Sequence, residues 1–78
     1  MATTTNTHTI GKYATAWRRK MPWADSYLRM IALDNGAEVQ TGEDVSGRLV
    51  FRFVASNRAD AWRAMNAARN SPESLTYN

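Results

Sequence analysis

The segment "RLVFRFVA", residues 48–55, gives the clearest strand pattern in the chain. Successive side chains of an extended chain point to opposite faces, so Phe51 and Phe53 share one face of a strand. Because phenylalanine belongs in a core, we predict that this face is buried. The open face then displays the residues that lie between, which are Arg48, Val50, Arg52 and Val54.

The segment that follows, residues 56–70, repeats apolar side chains at helical spacing. This stripe consists of Ala61, Trp62, Met65 and Ala68. Ser56 or Asn57 can cap the first turn, and Asp60 suits the positive end of the helix dipole. Residues 70–72, Asn-Ser-Pro, end the pattern. We predict a C-terminal helix that packs on the phenylalanine face.

A second helical pattern lies near the start of the chain. Its stripe consists of Ile10, Tyr13, Ala14, Trp17 and Met21. Thr9 can cap this helix, and Pro22 disfavours helical geometry at the residue before it. We therefore predict a helix from residue 10 to about residue 20, with Trp17 in the core. The polar segment 1–9 is expected to form a disordered tail.

Residues 24–33 fit two structures. As a helix, they would place Ala24, Tyr27, Leu28 and Ile31 on one stripe, with Pro22 at a favourable first position. As a strand, residues 26–33 run into "DNG", a tight-hairpin signal, and then into the alternating "AEVQT". We favour the hairpin, which would bring Tyr27 and Arg29 to the open sheet face.

The predicted fold class is therefore α+β. It consists of an N-terminal helix, a three-stranded antiparallel meander and a C-terminal helix packed on one sheet face. We expect a single domain over residues 10–72, preceded by the tail 1–9 and followed by a short C-terminal tail, 73–78. The chain has 78 residues and no cysteine, so neither a second core nor a disulfide is expected. A homodimer that shares the burial of the core is an alternative for so small a domain.

Charge is distributed in blocks. Residues 1–24 carry four cations and no acid, residues 25–47 carry five acids and one cation, and residues 48–70 carry five cations and one acid. Eight of the ten cations are arginine, whose planar donor fork suits carboxylate and phosphate contacts. This composition favours a contact surface.

The residues needed for catalysis do not occur in a recognisable arrangement. The chain has one histidine, His8, no cysteine and no glycine-rich phosphate loop. Its middle acids have no metal-ligand spacing. We therefore predict a non-enzyme without metal or cofactor. No apolar run approaches the length of a membrane span, about 20 residues, and cysteine is absent, so we expect a cytoplasmic protein.

Two stretches are candidate binding surfaces. The first is "AWRRKMPW", residues 16–23, in which Trp23 follows the proline beside three cations. An exposed tryptophan next to arginine is typical of a binding hot spot, whereas a buried one would make the stretch structural. The second is the open sheet face. The predicted partner-binding residues are Arg18, Arg19, Lys20, Trp23, Arg29, Arg48, Val50 and Arg52.

The run "YLRMIALDNGAEVQ…GRLVFRFVASNRADAW" resembles the arm-binding domains of phage integrases and related plant-type DNA-binding domains. The helix–three strands–helix order also resembles double-stranded RNA-binding domains, although Ala59 and Asp60 stand where that family has a lysine-rich helix start. These resemblances imply a nucleic-acid-binding domain with an Arg-rich sheet face.

In size and format, with a hairpin around "LDNGAEV" and a final strand-to-helix unit, the chain resembles small phage-encoded inhibitors of the anti-CRISPR type. This resemblance implies inhibition by binding, without catalysis. Because the chain is basic, it implies contact with an acidic protein surface, or competition near guide RNA or target strand, rather than DNA mimicry. Our leading hypothesis is a protein that blocks a nucleic-acid-processing complex of the host, such as a CRISPR surveillance complex, by protein–protein contact; direct nucleic-acid binding is the alternative.

Overall fold

The structure, a computed structural model, describes residues 12–77. It is a small α+β domain with two helices and a four-stranded antiparallel sheet. The elements are β1 (Tyr13–Ala14), β2 (Arg18–Arg19), α1 (Asp25–Asp34), β3 (Ala37–Glu43), β4 (Leu49–Ala55) and α2 (Arg58–Arg69). The predicted tail 1–9 and its His8, and the start of the predicted first helix, lie outside the described residues.

β4 is the central strand of the sheet. β3 pairs along its whole length on one edge, while β1 and β2 share the other edge. Phe51 and Phe53 point into the core with their rings edge-to-face, 5.7 Å between centroids. Both helices contribute to this core, through Leu28 and Ala32 of α1 and through Met65 of α2. The predicted phenylalanine face is confirmed.

The predicted N-terminal helix is wrong. Its described part is a broken strand, β1 and β2, which pairs antiparallel with β4. A central strand that is buried on both faces needs hydrogen-bonding partners on both edges, and this segment supplies the second one. Local helical spacing could not reveal that requirement.

The break between β1 and β2 is a β-bulge. Ala14 lies opposite Val54 and Arg18 lies opposite Phe51, so the outer strand has one residue more than β4 in this interval. Thr15 closes the ladder there, because its N–H donates to the Phe53 carbonyl at 2.9 Å and its Oγ1 accepts from the Phe53 N–H at 3.1 Å.

The predicted three-stranded meander is also wrong, because residues 25–34 form helix α1 instead of a strand. Leu28 and Ala32 are buried on its inner side. The "DNG" sequence ends this helix. Asn35 Nδ2 donates to the Ile31 carbonyl at 2.9 Å, and Gly36 adopts the left-handed conformation (φ 69°) that follows many helix ends. A hairpin signal and a helix stop signal use the same residues.

The C-terminal helix is confirmed as α2. Asn57 caps it, with Oδ1 accepting from the Asp60 N–H at 2.9 Å. Beyond α2, where the sequence suggested a tail, Leu75 is buried in the core and Thr76 forms a bridge with Lys20. This last segment lies along the outer edge of β2, since the Tyr77 N–H donates to the Arg19 carbonyl.

Candidate functional site

Two arginine–aromatic stacks lie on the sheet face opposite the helices. The guanidinium carbon of Arg52 is 4.5 Å from the centroid of the Trp17 ring, and that of Arg19 is 4.2 Å from the centroid of the Tyr77 ring. Arg52 Nε also donates to Gln40 Oε1 at 2.8 Å. We call this surface the stacked face, made of Trp17, Arg19, Gln40, Val50, Arg52 and Tyr77.

Strand pairing assembles the stacked face from four segments. Arg52 lies opposite Gln40 of β3, and Val50 lies opposite Arg19 of β2. Residues directly opposite in an antiparallel pair have side chains on the same face. The bulge lets Trp17 reach this face as well, which explains why the predicted burial of Trp17 is wrong.

The three cations of "RRK" are separated by the same alternation. Arg19 joins the stacked face, whereas Arg18 lies opposite the core residue Phe51. Lys20 is only 5% exposed, and its Nζ lies 2.8 Å from Asp25 Oδ1. Lys20 therefore anchors the start of α1 and is not available as a contact residue. Arg18 Nη2 donates to the Tyr77 carbonyl at 3.3 Å and thus supports the edge of the stacked face.

The two valines of the open face are buried, contrary to the prediction. Val50 is 8% exposed and Val54 is 1% exposed. Arg19 is the cross-strand neighbour of Val50, and Arg52 follows it on the same face, so the stems of two stacked arginines flank this valine. Val50 supports the stacked arginines from below instead of contacting a partner directly.

At each end of the stacked face, a cation forms a salt bridge with an acid. At one end Arg48 Nε lies 3.0 Å from Asp44 Oδ2 in the β3–β4 turn, and at the other Lys12 Nζ lies 3.9 Å from Glu38 Oε2. A hydrogen bond from the Arg48 main chain, with further help from Ser46, lowers the pKa of Asp44 below its ordinary value. The cations at both ends of the stacked face are therefore paired with acids.

The stacked arginines are held in place by contacts within the domain. Burial lowers the pKa of Arg52, but arginine remains cationic at neutral pH. Within residues 12–77, Arg19 forms no ion pair with a carboxylate. A guanidinium that is already fixed over an aromatic ring loses little side-chain entropy when it binds an anion. Such a group is suited to bind carboxylate or phosphate.

The other predicted contact residues lie on α1 or next to it, away from the sheet. Trp23, just before α1, is 55% exposed and is therefore a surface residue. Arg29 lies on α1 itself and so is not part of the sheet face. The residues that sequence reasoning missed are Gln40 and the two stacking aromatics, Trp17 and Tyr77. In the sequence, only the arginines that alternate with phenylalanines in β4 indicated this face.

Among residues 12–77, acids and histidines form no group that could hold a metal ion, and no helix there is long and apolar enough to cross a bilayer. In comparisons with known proteins, no family model, no curated protein and no solved structure matches the chain.

Proposed function

We propose that this protein is a non-enzymatic binding protein whose stacked face docks on an acidic surface of a partner protein. The observation that supports it is the pair of stacked arginines, Arg19 on Tyr77 and Arg52 on Trp17, on one sheet face. Arginine and aromatic residues together are the composition of interface hot spots. Their preorganisation lowers the entropy that binding must overcome.

The partner that we propose is a nucleic-acid-processing complex of the host, with a CRISPR surveillance complex as the first candidate. This choice rests on the resemblance in size and format to anti-CRISPR inhibitors. In such a complex the stacked face would bind carboxylates on a protein subunit. The closed charge pairs at both ends of the face, Arg48–Asp44 and Lys12–Glu38, favour a partner of mixed charge over a continuous polyanion.

The test is a pull-down with purified protein against purified surveillance complexes, together with an interference assay in cells. We expect a retained complex and blocked interference. The variant Arg19→Glu with Arg52→Glu should lower affinity at least about tenfold, because it reverses both stacked charges. The matched control, Arg63→Glu with Arg69→Glu, makes the same charge change on the exposed side of α2 and should retain binding. If no complex is retained and interference continues, the proposal fails.

A second candidate function is single-stranded nucleic-acid binding. The observation that favours it is the row of aromatic and arginine side chains on a sheet, which is the arrangement of many single-strand platforms. Gel-shift titrations at low salt distinguish the two functions. Nucleic-acid binding would weaken steeply as salt is raised, since phosphate contacts release counterions.

A further inference from the structure

The outer edge of β3 is the open edge of the sheet. The opposite edge is extended past β2 by the segment that contains Thr76, whereas β3 pairs with β4 alone within residues 12–77. β3 is seven residues long and contains neither proline nor lysine, two of the residues that commonly block strand edges. Its edge can therefore accept another strand.

The direction of the β3 main-chain groups follows from the register. The Asp44 N–H donates to the Arg48 carbonyl at 3.0 Å, so this pair is hydrogen-bonded, and hydrogen-bonded pairs alternate along an antiparallel ladder. Gln40 and Gly42 therefore bond to β4. The N–H and C=O groups of Val39 and Thr41 point to the open edge.

Two cavities below the sheet are lined in part by β3. One, of about 340 Å³, lies between β3 and α1 and is lined by Val39 and Leu33 among others. The other, of about 350 Å³, lies at the far end of β3 and is lined by Thr41 and Glu43 of this strand together with Leu49, Lys20 and Asp25. Leu33 is 80% exposed at the first cavity. An added strand would cover it.

The charge on this side of the molecule is negative. α1, β3 and the turn after them belong to the block with five acids and one cation. Three of these acids have a basic partner nearby, since Asp25 pairs with Lys20, Glu38 with Lys12 and Asp44 with Arg48. Glu43, beside the second cavity, forms no ion pair within residues 12–77. A cation on the added strand would complement it.

A second copy of this chain would meet like charges in one register. Pairing two β3 strands antiparallel about Thr41 would place Glu38 opposite Asp44 of the second copy, twice. Like charges directly opposite each other destabilise a strand pair. Glu43, which forms no ion pair within residues 12–77, favours a basic strand from another protein.

We propose that the β3 edge binds an extended segment of a partner protein, which adds a strand to the sheet. The segment places an apolar side chain between Leu33 and Val39 and a cation near Glu43. Main-chain hydrogen bonds to Val39 and Thr41 supply affinity, and the two cavities supply specificity, as in other strand-addition complexes. This site is separate from the stacked face.

The probe is a blocked seven-residue peptide, lysine followed by three threonine–valine pairs, which places lysine at Glu43 when it runs antiparallel to β3. We expect shifts of the β3 amide resonances on titration and slowed hydrogen exchange at Val39 and Thr41. A peptide with glutamate in place of lysine should bind about tenfold more weakly. A peptide with N-methyl groups on the bonding amides should not bind.

The variant Thr41→Pro removes an outward N–H and no ladder bond, so it should abolish peptide binding while the fold is retained. Thr41→Val keeps the N–H and should bind normally. Arg19→Glu with Arg52→Glu should leave peptide binding unchanged, which separates this test from that of the proposed function. The proposal would be overturned if hydrogen exchange at the β3 amides were not slowed by millimolar peptide. It would also be overturned if light scattering showed a dimer of this chain that Thr41→Pro converts to a monomer. If Thr41→Pro does not fold, the N-methylated peptide decides.

Discussion

The two helices differ in how their outer sides are built. α2 has a capped start at Asn57, a basic residue in its last turn, and an outer side of polar and small residues. α1 has Ala24 at its N-cap position, so it has no side-chain cap, and it has no basic residue in its last turn. Its outer side exposes large apolar residues, namely Tyr27, Met30 and Leu33. Stability explains the sequence of α2 but explains only the inner half of α1.

The largest effects should come from the inner sides, where the two helices are alike. Leu28→Ala in α1 and Met65→Ala in α2 each remove a fully buried side chain from the same core. Each should lower the free energy of unfolding by about 2–5 kcal/mol, measured by urea denaturation. If Leu28→Ala were nearly neutral, α1 would not be a structural part of the core and the comparison would break.

The start of α1 should depend on the Lys20–Asp25 pair in place of a cap. Asp25→Asn keeps a similar shape but removes the negative charge that pairs with the buried ammonium of Lys20. The ammonium would then keep its hydrogen bond to the Met21 carbonyl but no ion pair. Since Asp25 itself is more than half exposed, we expect a loss of about 1–2 kcal/mol in the free energy of unfolding. The double variant Lys20→Met with Asp25→Asn should recover most of this loss, and a failure to recover would contradict this assignment.

The start of α2 should depend on its cap. Asn57→Ala removes the acceptor of the Asp60 N–H and should destabilise the domain by about 1 kcal/mol in the same assay. Asn66→Ala is the matched control, because Asn66 is exposed in the middle of α2. Equal losses for both variants would show that the cap has no special role.

The outer side of α1 should matter least for stability. Met30→Gln and Leu33→Gln, singly, should change the free energy of unfolding by no more than about 0.5 kcal/mol, since both side chains are mostly exposed. Leu33→Gln should nevertheless weaken binding of the valine-containing peptide, whereas Arg63→Gln on the outer side of α2 should not. A large loss of stability would mean that these residues serve the fold after all.

Periodicity predicted the elements whose pattern has only one physical solution. The phenylalanine face of β4 and the inner side of α2 both lie in the core, so alternation at Phe51 and Phe53 and helical spacing around Met65 were sufficient. Residues 24–33 were ambiguous, because "DNG" serves a hairpin and a helix end equally well. The N-terminal strand could not be predicted from its own sequence. It forms because the rest of the sheet leaves one edge of β4 without a hydrogen-bonding partner.

The candidate site was predictable only in part, for the same reason. Arg52 followed from the alternation of its own strand. Trp17 and Tyr77 join it through pairings between segments far apart in sequence, so no local pattern could place them. The buried position of Lys20 likewise depends on Asp25, which only the fold of α1 brings close.

The bulge near Thr15 acts as a parity switch for the strand that contains it. If the same sequence were paired without the bulge, the β1 register would continue, so that Trp17 would lie opposite Phe51 and Arg18 opposite Val50. Inside and outside would be exchanged for the rest of the strand. Deletion of one residue, such as Ala16, would instead match the two strands in length and leave Arg18 opposite Phe51 and Arg19 opposite Val50, so the extra residue could be lost without any change in which side chains the stacked face displays.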